Sequence, residues 1–176
     1  MIEFKAWPKI PRGGKQLVTV TEKMDGTNAC IIINEGEVVG VQSRKRLITP
    51  EDDNYGFAGW VSRNSIELAK LGNGYHYGEW AGLGIQKNPH NLSEKTFFLF
   101  NTYRWMQDAS LPNICAVVPV LYHGVYYENM VQELMLNLKD EAEGCCEPEG
   151  VVVYDHTTKL MTKYTFKFSE GKWKGE

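Results

Sequence analysis

Long apolar runs are missing from this 176-residue sequence, and none approaches the roughly 18 to 20 residues that a membrane-spanning helix needs. The opening stretch MIEFKAWPKIPRGGK lacks the continuous apolar core of a secretory signal. Cysteine is scarce: only Cys30, Cys115, Cys145 and Cys146 occur, two of them adjacent. No CxxC or Cys/His pair has zinc-ligand spacing. All four therefore read as reduced thiols, and the expected location is the cytoplasm, with no membrane association. An excess of one charge is also absent. The net charge is −3, so the field of the whole molecule does not mark a nucleic-acid binder. Internal repeats, low-complexity tracts and linkers are lacking too. GNG and GLG lack the strand–loop–helix setting of a phosphate loop. His76, His90, His123 and His156 are scattered without metal-ligand spacing.

What is present suits one domain over residues 1–176, with 43% hydrophobic and 23% charged residues. Short runs rich in Val, Ile, Tyr and Phe, punctuated by Gly, Asn and Pro, predict strands. They fall at 17–22, 29–34, 37–43, 75–80, 96–103, 117–122, 150–154 and 161–168. Asn34-Glu35-Gly36 predicts one hairpin, and Asp155 to Thr158 a second between the last two strands. Val131, Leu134, Met135 and Leu138 form one apolar stripe of a helix over 129–143. Trp60, Ile66 and Leu71 suggest another over 60–71, stopped by Gly72. The fold class is α+β, with antiparallel sheets flanked by helices. Charge is unevenly placed: SRKR at 43–46 is a basic knot, and Lys159, Lys163, Lys167, Lys172 and Lys174 crowd the last stretch. Any nucleic acid would meet a local basic groove.

The stretch TVTEKMDGTNACIII, residues 19 to 33, poses the functional question. An amine attacks only when deprotonated, and a free lysine titrates near pH 10.4, so nearby cations or burial must activate it. Lys23 can be such a nucleophile, with Asp25 and Gly26 making a tight turn and the glycine tolerating positive φ. Alternatively, Lys23 is an exposed residue in a plain strand–turn–strand hairpin.

Further elements follow in order. TEKMDGTN resembles the nucleotidyl-lysine motif of the covalent nucleotidyltransferases, the ATP-dependent DNA and RNA ligases and mRNA capping enzymes. VQSRKR, YHYGEW, FFLFNTYRW, EPEGVVVY and KYTFKF resemble that family's later motifs, over about residues 17 to 170. EKMDGTN with YGEWAG and FNTYRW is most similar to phage-type RNA ligases. The resemblance implies a ligase-type adenylation domain without a C-terminal OB domain. It implies ATP and Mg²⁺ (or Mn²⁺) as cofactors, and RNA (or DNA) ends bearing a 5′-phosphate and a 3′-hydroxyl as partners. No obligate protein partner is implied, and the compartment is the host cytoplasm if the chain is phage-encoded.

Residue by residue, the resemblance implies that Lys23 becomes lysyl-AMP and that Glu22 lies near the adenine edge. Arg44 and Glu79 would hold the ribose. Phe100 would stack on adenine, with Phe98 the alternative. Glu149 would bind the metal, with Glu147 the more exposed alternative. Lys163 and Lys167 would close the site on the phosphates. The sequence departs from the family twice: Asn101 stands where the family has Asp, and Thr165 lies between the two closing lysines. Lys172 and Lys174 form a literal Lys-x-Lys later on and are the alternative pair. Period-two geometry places Lys163, Thr165 and Lys167 on one strand face. The expected activity is ATP-dependent RNA ligation. The alternatives are a minimal DNA ligase, or a nucleotide- or RNA-binding module that has lost sealing.

Overall fold

A computed structural model describes residues 15–108, 110–142 and 147–166. Among the described residues, nine strands form two sheets, accompanied by four α-helices and a 3₁₀ turn. β1 (Leu17–Glu22), β7 (Val120–Val125), β8 (Gly150–Asp155) and β9 (Met161–Thr165) make a four-stranded antiparallel sheet in the order β7-β1-β8-β9. β2 (Gly26–Asn34), β3 (Glu37–Ser43), β4 (Gly74–Ala81), β5 (Thr96–Leu99) and β6 (Cys115–Val117) make the second, in the order β3-β2-β4-β5-β6. Only β5 and β6 pair in parallel there.

Alternation assigns each sheet one apolar face. Ala29, Ile31, Ile33, Trp80, Phe97 and Leu99 pack onto Phe57 and Val61 of α1 (Phe57–Arg63) and Leu68 of α2 (Ser65–Leu68). In the other sheet, Val18, Val20, Val151 and Val153 pack onto Met130, Val131 and Leu138 of α4 (Met130–Glu141). The opposite faces carry the remaining residues, including Thr19, Thr21 and Val152 on one side and Asn28, Tyr77 and Glu79 on the other. These line a common cleft.

The Asn34–Glu37 hairpin forms as expected. Glu35 and Gly36 have φ of 51° and 79°, the paired positive values of a two-residue turn that matches strand twist. The second hairpin is longer than expected, spanning the residues between Asp155 and Met161. The helix expected at 60–71 is broken. Asn64 leaves helical geometry, with φ −116° and ψ 16°, and its amide donates to the Trp60 carbonyl at 2.8 Å. α2 and a 3₁₀ turn (Ala69–Leu71) follow, and Gly72 ends them at φ 80°. Ile66, expected on the apolar stripe, is 87% exposed because the break rotates it outward.

Two expected strands are also corrected. The run 96–103 stops at Leu99, because the Asn101 side chain accepts from Arg104 N and starts α3 (Thr102–Trp105). The run 117–122 is split at Val118 and Pro119 between β6 of one sheet and β7 of the other, since proline has no N–H for a ladder. Lys167 and Phe168 of the last expected strand, and residue 143 of the expected helix, lie outside the described residues, as do Cys145 and Cys146. Cys30 and Cys115 are free, buried thiols. Among the described residues, no helix is long and apolar enough to cross a membrane.

Gly150 has φ 142°, and an added Cβ would sit 2.0 Å from the Tyr164 carbonyl oxygen. Gly150→Ala is therefore expected to destabilise the fold by at least about 2 kcal/mol, through backbone strain and displacement of β9. Urea denaturation read by tryptophan fluorescence checks this, and an unchanged midpoint contradicts it.

Candidate functional site

Lys23 lies between β1 and β2, which belong to different sheets. The hairpin reading of this stretch is therefore wrong, because β1 and β2 do not pair and the chain crosses from sheet to sheet here. Two backbone hydrogen bonds hold the crossing, Glu22 N to Pro119 O and Lys23 N to Gly150 O, both 2.9 Å. Met24 is buried with Ala81, Phe98 and Val118 in a small core directly after the lysine. Gly26 is not used for positive φ, contrary to the turn reading. A Cβ there would lie 2.4 Å from the Trp80 carbonyl oxygen, so only glycine lets β2 pass β4 this closely.

The Lys23 ammonium is paired with Glu149, Nζ to Oε1 at 2.6 Å. Glu149 stands just before β8, and Phe166 N donates to its carbonyl. Glu147 is exposed. On the neighbouring sheet, strand register places Asn28, Glu79 and Phe98 side by side. The Asn28 amide donates to Glu79 Oε2 at 2.8 Å. Glu79 is only 8% exposed. Burial pushes its carboxyl up to about 7 despite the Lys23 charge, and Glu149 and Asp25 push the same way.

One step further along β4, Tyr77 pairs with Phe100 through Phe100 N to Tyr77 O at 3.0 Å. Phe100 is 42% exposed and lines the cleft, whereas Phe98 is 9% exposed and belongs to the core around Met24. Arg44 follows β3 directly, lines the cleft and is exposed. Arg46 of the same basic knot is taken up by Asp52. Glu22 is buried beside the cleft, with Oε1 3.2 Å from His90 Nε2. That nitrogen lacks hydrogen-bond alignment to any described residue. Burial raises the Glu22 carboxyl, and His90 lowers it.

Lys163 pairs with Val152, which pairs with Thr21, so all three form one lateral row of the four-stranded sheet. Thr165 pairs with Gly150 beside the lysine crossing. The expected face shared by Lys163 and Thr165 is thus present. Lys167, Lys172 and Lys174 fall outside the described residues.

The structure brings Lys23, Arg44, Glu79 and Phe100 to one cleft of about 1020 Å³, with Glu149 joined to it through its ion pair with Lys23. Sequence reasoning did not single out Asn28, the donor that holds Glu79, although it sits inside the quoted lysine motif and its alternation with Cys30 on β2 was legible. It also missed the Thr19 hydroxyl, which lies 2.8 Å from His123 Nδ1 and 2.7 Å from His156 Nε2. His123 lies on β7 and His156 just after β8, the two strands that flank β1, and no sequence spacing joins them.

Chemically, this cleft can present a nitrogen nucleophile, hold a divalent ion and stack on a flat ring. Among the described residues, no group of three or more His, Cys, Asp or Glu could hold a metal. A single carboxylate at Glu149 nevertheless suits Mg²⁺ or Mn²⁺, which take one or two carboxylates and complete their shell with phosphate and water.

The sequence profile of the RNA ligase family matches residues 16–169. A Naegleria gruberi RNA ligase mutant solved with AMP and Mn superimposes with a TM-score of 0.63 at 20% identity, over 88% of this chain and 51% of that one. Another mutant, with ATP and Mn, gives 0.63 at 21%, over 88% and 50%. The same enzyme with PPi gives 0.62 at 22%, over 88% and 51%. At such identity the likeness shows the fold, and the chain spans about half the length of these enzymes. No curated protein matches significantly.

Glu79 yields a pH prediction. Its carboxyl binds a proton more tightly in the folded state than the usual value of 4.5 allows. Folded stability therefore falls as pH rises from about 4.5 to about 7, and the full penalty, about 3 kcal/mol, persists above that. Glu79→Gln, which never ionises, is expected to match the wild type near pH 4.5 and to exceed it increasingly up to pH 8. Urea titrations across this range measure the difference, and a constant offset contradicts the assignment.

Proposed function

Because the chain belongs to the RNA ligase family, we propose that it is an ATP-dependent RNA ligase whose Lys23 carries AMP as a lysyl-N–AMP intermediate. The observation that supports this most is the Lys23 amine, set by the crossing between two sheets and facing Glu149 at the end of a cleft that also holds Glu79 and Phe100. The proposal extends over residues 1–176 as one adenylation domain. The proposed location is the cytoplasm, that of the host if the chain is phage-encoded.

In the first step Lys23 Nζ, freed of its proton, attacks the α-phosphorus of ATP. A P–N bond forms, the bond to the bridging oxygen breaks, and pyrophosphate leaves. A 5′-phosphate oxygen of RNA then attacks the same phosphorus and restores the amine. Finally the 3′-hydroxyl displaces AMP to make the phosphodiester. A divalent ion held by Glu149 would neutralise developing phosphate charge. Its arrival would also take Glu149 away from the Lys23 ammonium. Phe100 supplies the exposed ring for adenine. Glu79 and Arg44 hold the ribose, with Asn28 fixing the carboxylate. Lys163 adds a cation on the lateral row that reaches the phosphates, and Thr165 offers a hydroxyl where the family has a lysine. Glu22 would read the adenine edge through its backbone, since its carboxylate is directed to His90. Lys167 completes the proposed closing pair.

Incubation with α-labelled ATP and Mg²⁺ is expected to produce an acid-labile covalent adduct that Lys23→Ala abolishes. A wild type without adduct, or an alanine variant that still labels, sinks the reading and leaves a binding module. Labelling from GTP would indicate capping chemistry. Strand joining is expected on 5′-phosphorylated RNA, and sealing of DNA nicks alone would favour the minimal DNA ligase.

Loss of a phosphate-facing cation is worth about 1.4 kcal/mol or more, so Lys163→Ala is expected to slow adduct formation at least about tenfold. An unchanged rate in both Lys163→Ala and Lys167→Ala moves the closing role to Lys172 and Lys174.

A further inference from the structure

The cleft extends past the groups that one mononucleotide needs. Glu79 lies at its Lys23 end, and Tyr77 with Phe100 lies one step along β4. Tyr75 lies a further step away, four residues from Glu79 and therefore about 13 Å along the strand. Tyr75 and Tyr77 share the cleft face, their rings stacked at 6.1 Å with 16° between planes. Tyr75 is 60% exposed. The facing sheet supplies Tyr154 and His156 to the same section of cleft, ring centroids 4.9 Å apart and edge-on.

Charge is segregated along the cleft. Both lining carboxylates, Glu22 and Glu79, stand near Lys23, whereas the far section has Arg104 and Lys159 and no carboxylate among its described lining residues. The Arg104 guanidinium lies over Trp105 and donates to the Leu71 carbonyl, so its position is set. Exposed aromatic rings beside cations are the chemistry that holds an unpaired nucleic-acid strand: rings stack on bases and cations meet phosphates.

We propose that this far section is a second base-binding subsite, taking an unpaired nucleotide of the RNA strand on Tyr75 while AMP occupies the Phe100 section. The inference rests on the ligase reading for the identity of the strand, and it gives a role to Tyr75, which opens the YHYGEW motif and to which the resemblance assigns none. Tyr75 stands about 13 Å along β4 from Glu79, so its role falls on RNA capture and on AMP transfer to the 5′-phosphate.

The test uses the full chain with a short fluorescent, 5′-phosphorylated oligouridylate. Loss of one stacked base weakens binding roughly five- to a hundredfold. Tyr75→Ala is therefore expected to weaken RNA affinity by anisotropy at least about fivefold, with Tyr75→Trp restoring it. Labelling of Lys23 by ATP is expected to keep its rate and its ATP dependence. Photocrosslinking of 5-iodouridine RNA is expected to mark Tyr75 or Tyr77. RNA affinity unchanged in Tyr75→Ala overturns the proposal. So does a raised ATP requirement for labelling, which would assign the slot to the nucleotide itself. Failure of the ligase reading is separately visible, because Lys23 would then not label in any variant.

Discussion

The site depends on where the chain leaves one sheet and enters the other. Glu22 and Lys23 each give their backbone N–H to a strand or crossing of the four-stranded sheet, at Pro119 and Gly150. Directly afterwards, Met24 is buried and Gly26 is packed against the Trp80 carbonyl of the five-stranded sheet. The lysine backbone is thus clamped between two rigid elements, and its side chain is held by Glu149. A second crossing at Val118 and Pro119 lies alongside, so the two sheets are joined at neighbouring points. The cleft between the sheets therefore has the amine among its lining groups.

Polar burial then follows from that geometry. Two carboxylates, Glu79 and Glu149, are gathered around one ammonium in a partly desolvated space. The ion pair of Glu149 with Lys23 and the Asn28 hydrogen bond offset part of the burial penalty, yet Glu79 still favours its proton. Sites that retain such strain suit ligands that bring compensating hydroxyls, cations or phosphates. By contrast, the Cys30 thiol on the same strand as Asn28 is pushed up to about 11 by burial, which keeps it inert beside the cleft.

Much of the fold was legible. β1 and β3 coincide with the expected runs because apolar alternation carries the signal locally, and Glu35-Gly36 closes its hairpin through local φ preference. The failures have local causes that hydrophobic patterning does not see. Asn64 and Asn101 interrupt apolar runs with side-chain hydrogen bonds, and Pro119 ends one strand where the next begins in another sheet. The site was legible as a list of residues through the order of its motifs. Asn28 and the Tyr75–Tyr77 stack were not, because their meaning arises from which strand lies opposite.

By itself, the sequence determined the residue types and their order along the chain, and the alternating apolar faces that demand covered sheets. These are consequences of side-chain volume and backbone freedom, which act over a few residues. Only the tertiary structure decided that Lys23 is a crossing between sheets and not a hairpin tip. It also decided that Glu149, more than a hundred residues away in sequence, is its partner, and that Phe100 faces the cleft while Phe98 faces the core. Pairing and burial depend on which strands become neighbours, and that is a property of the folded chain as a whole.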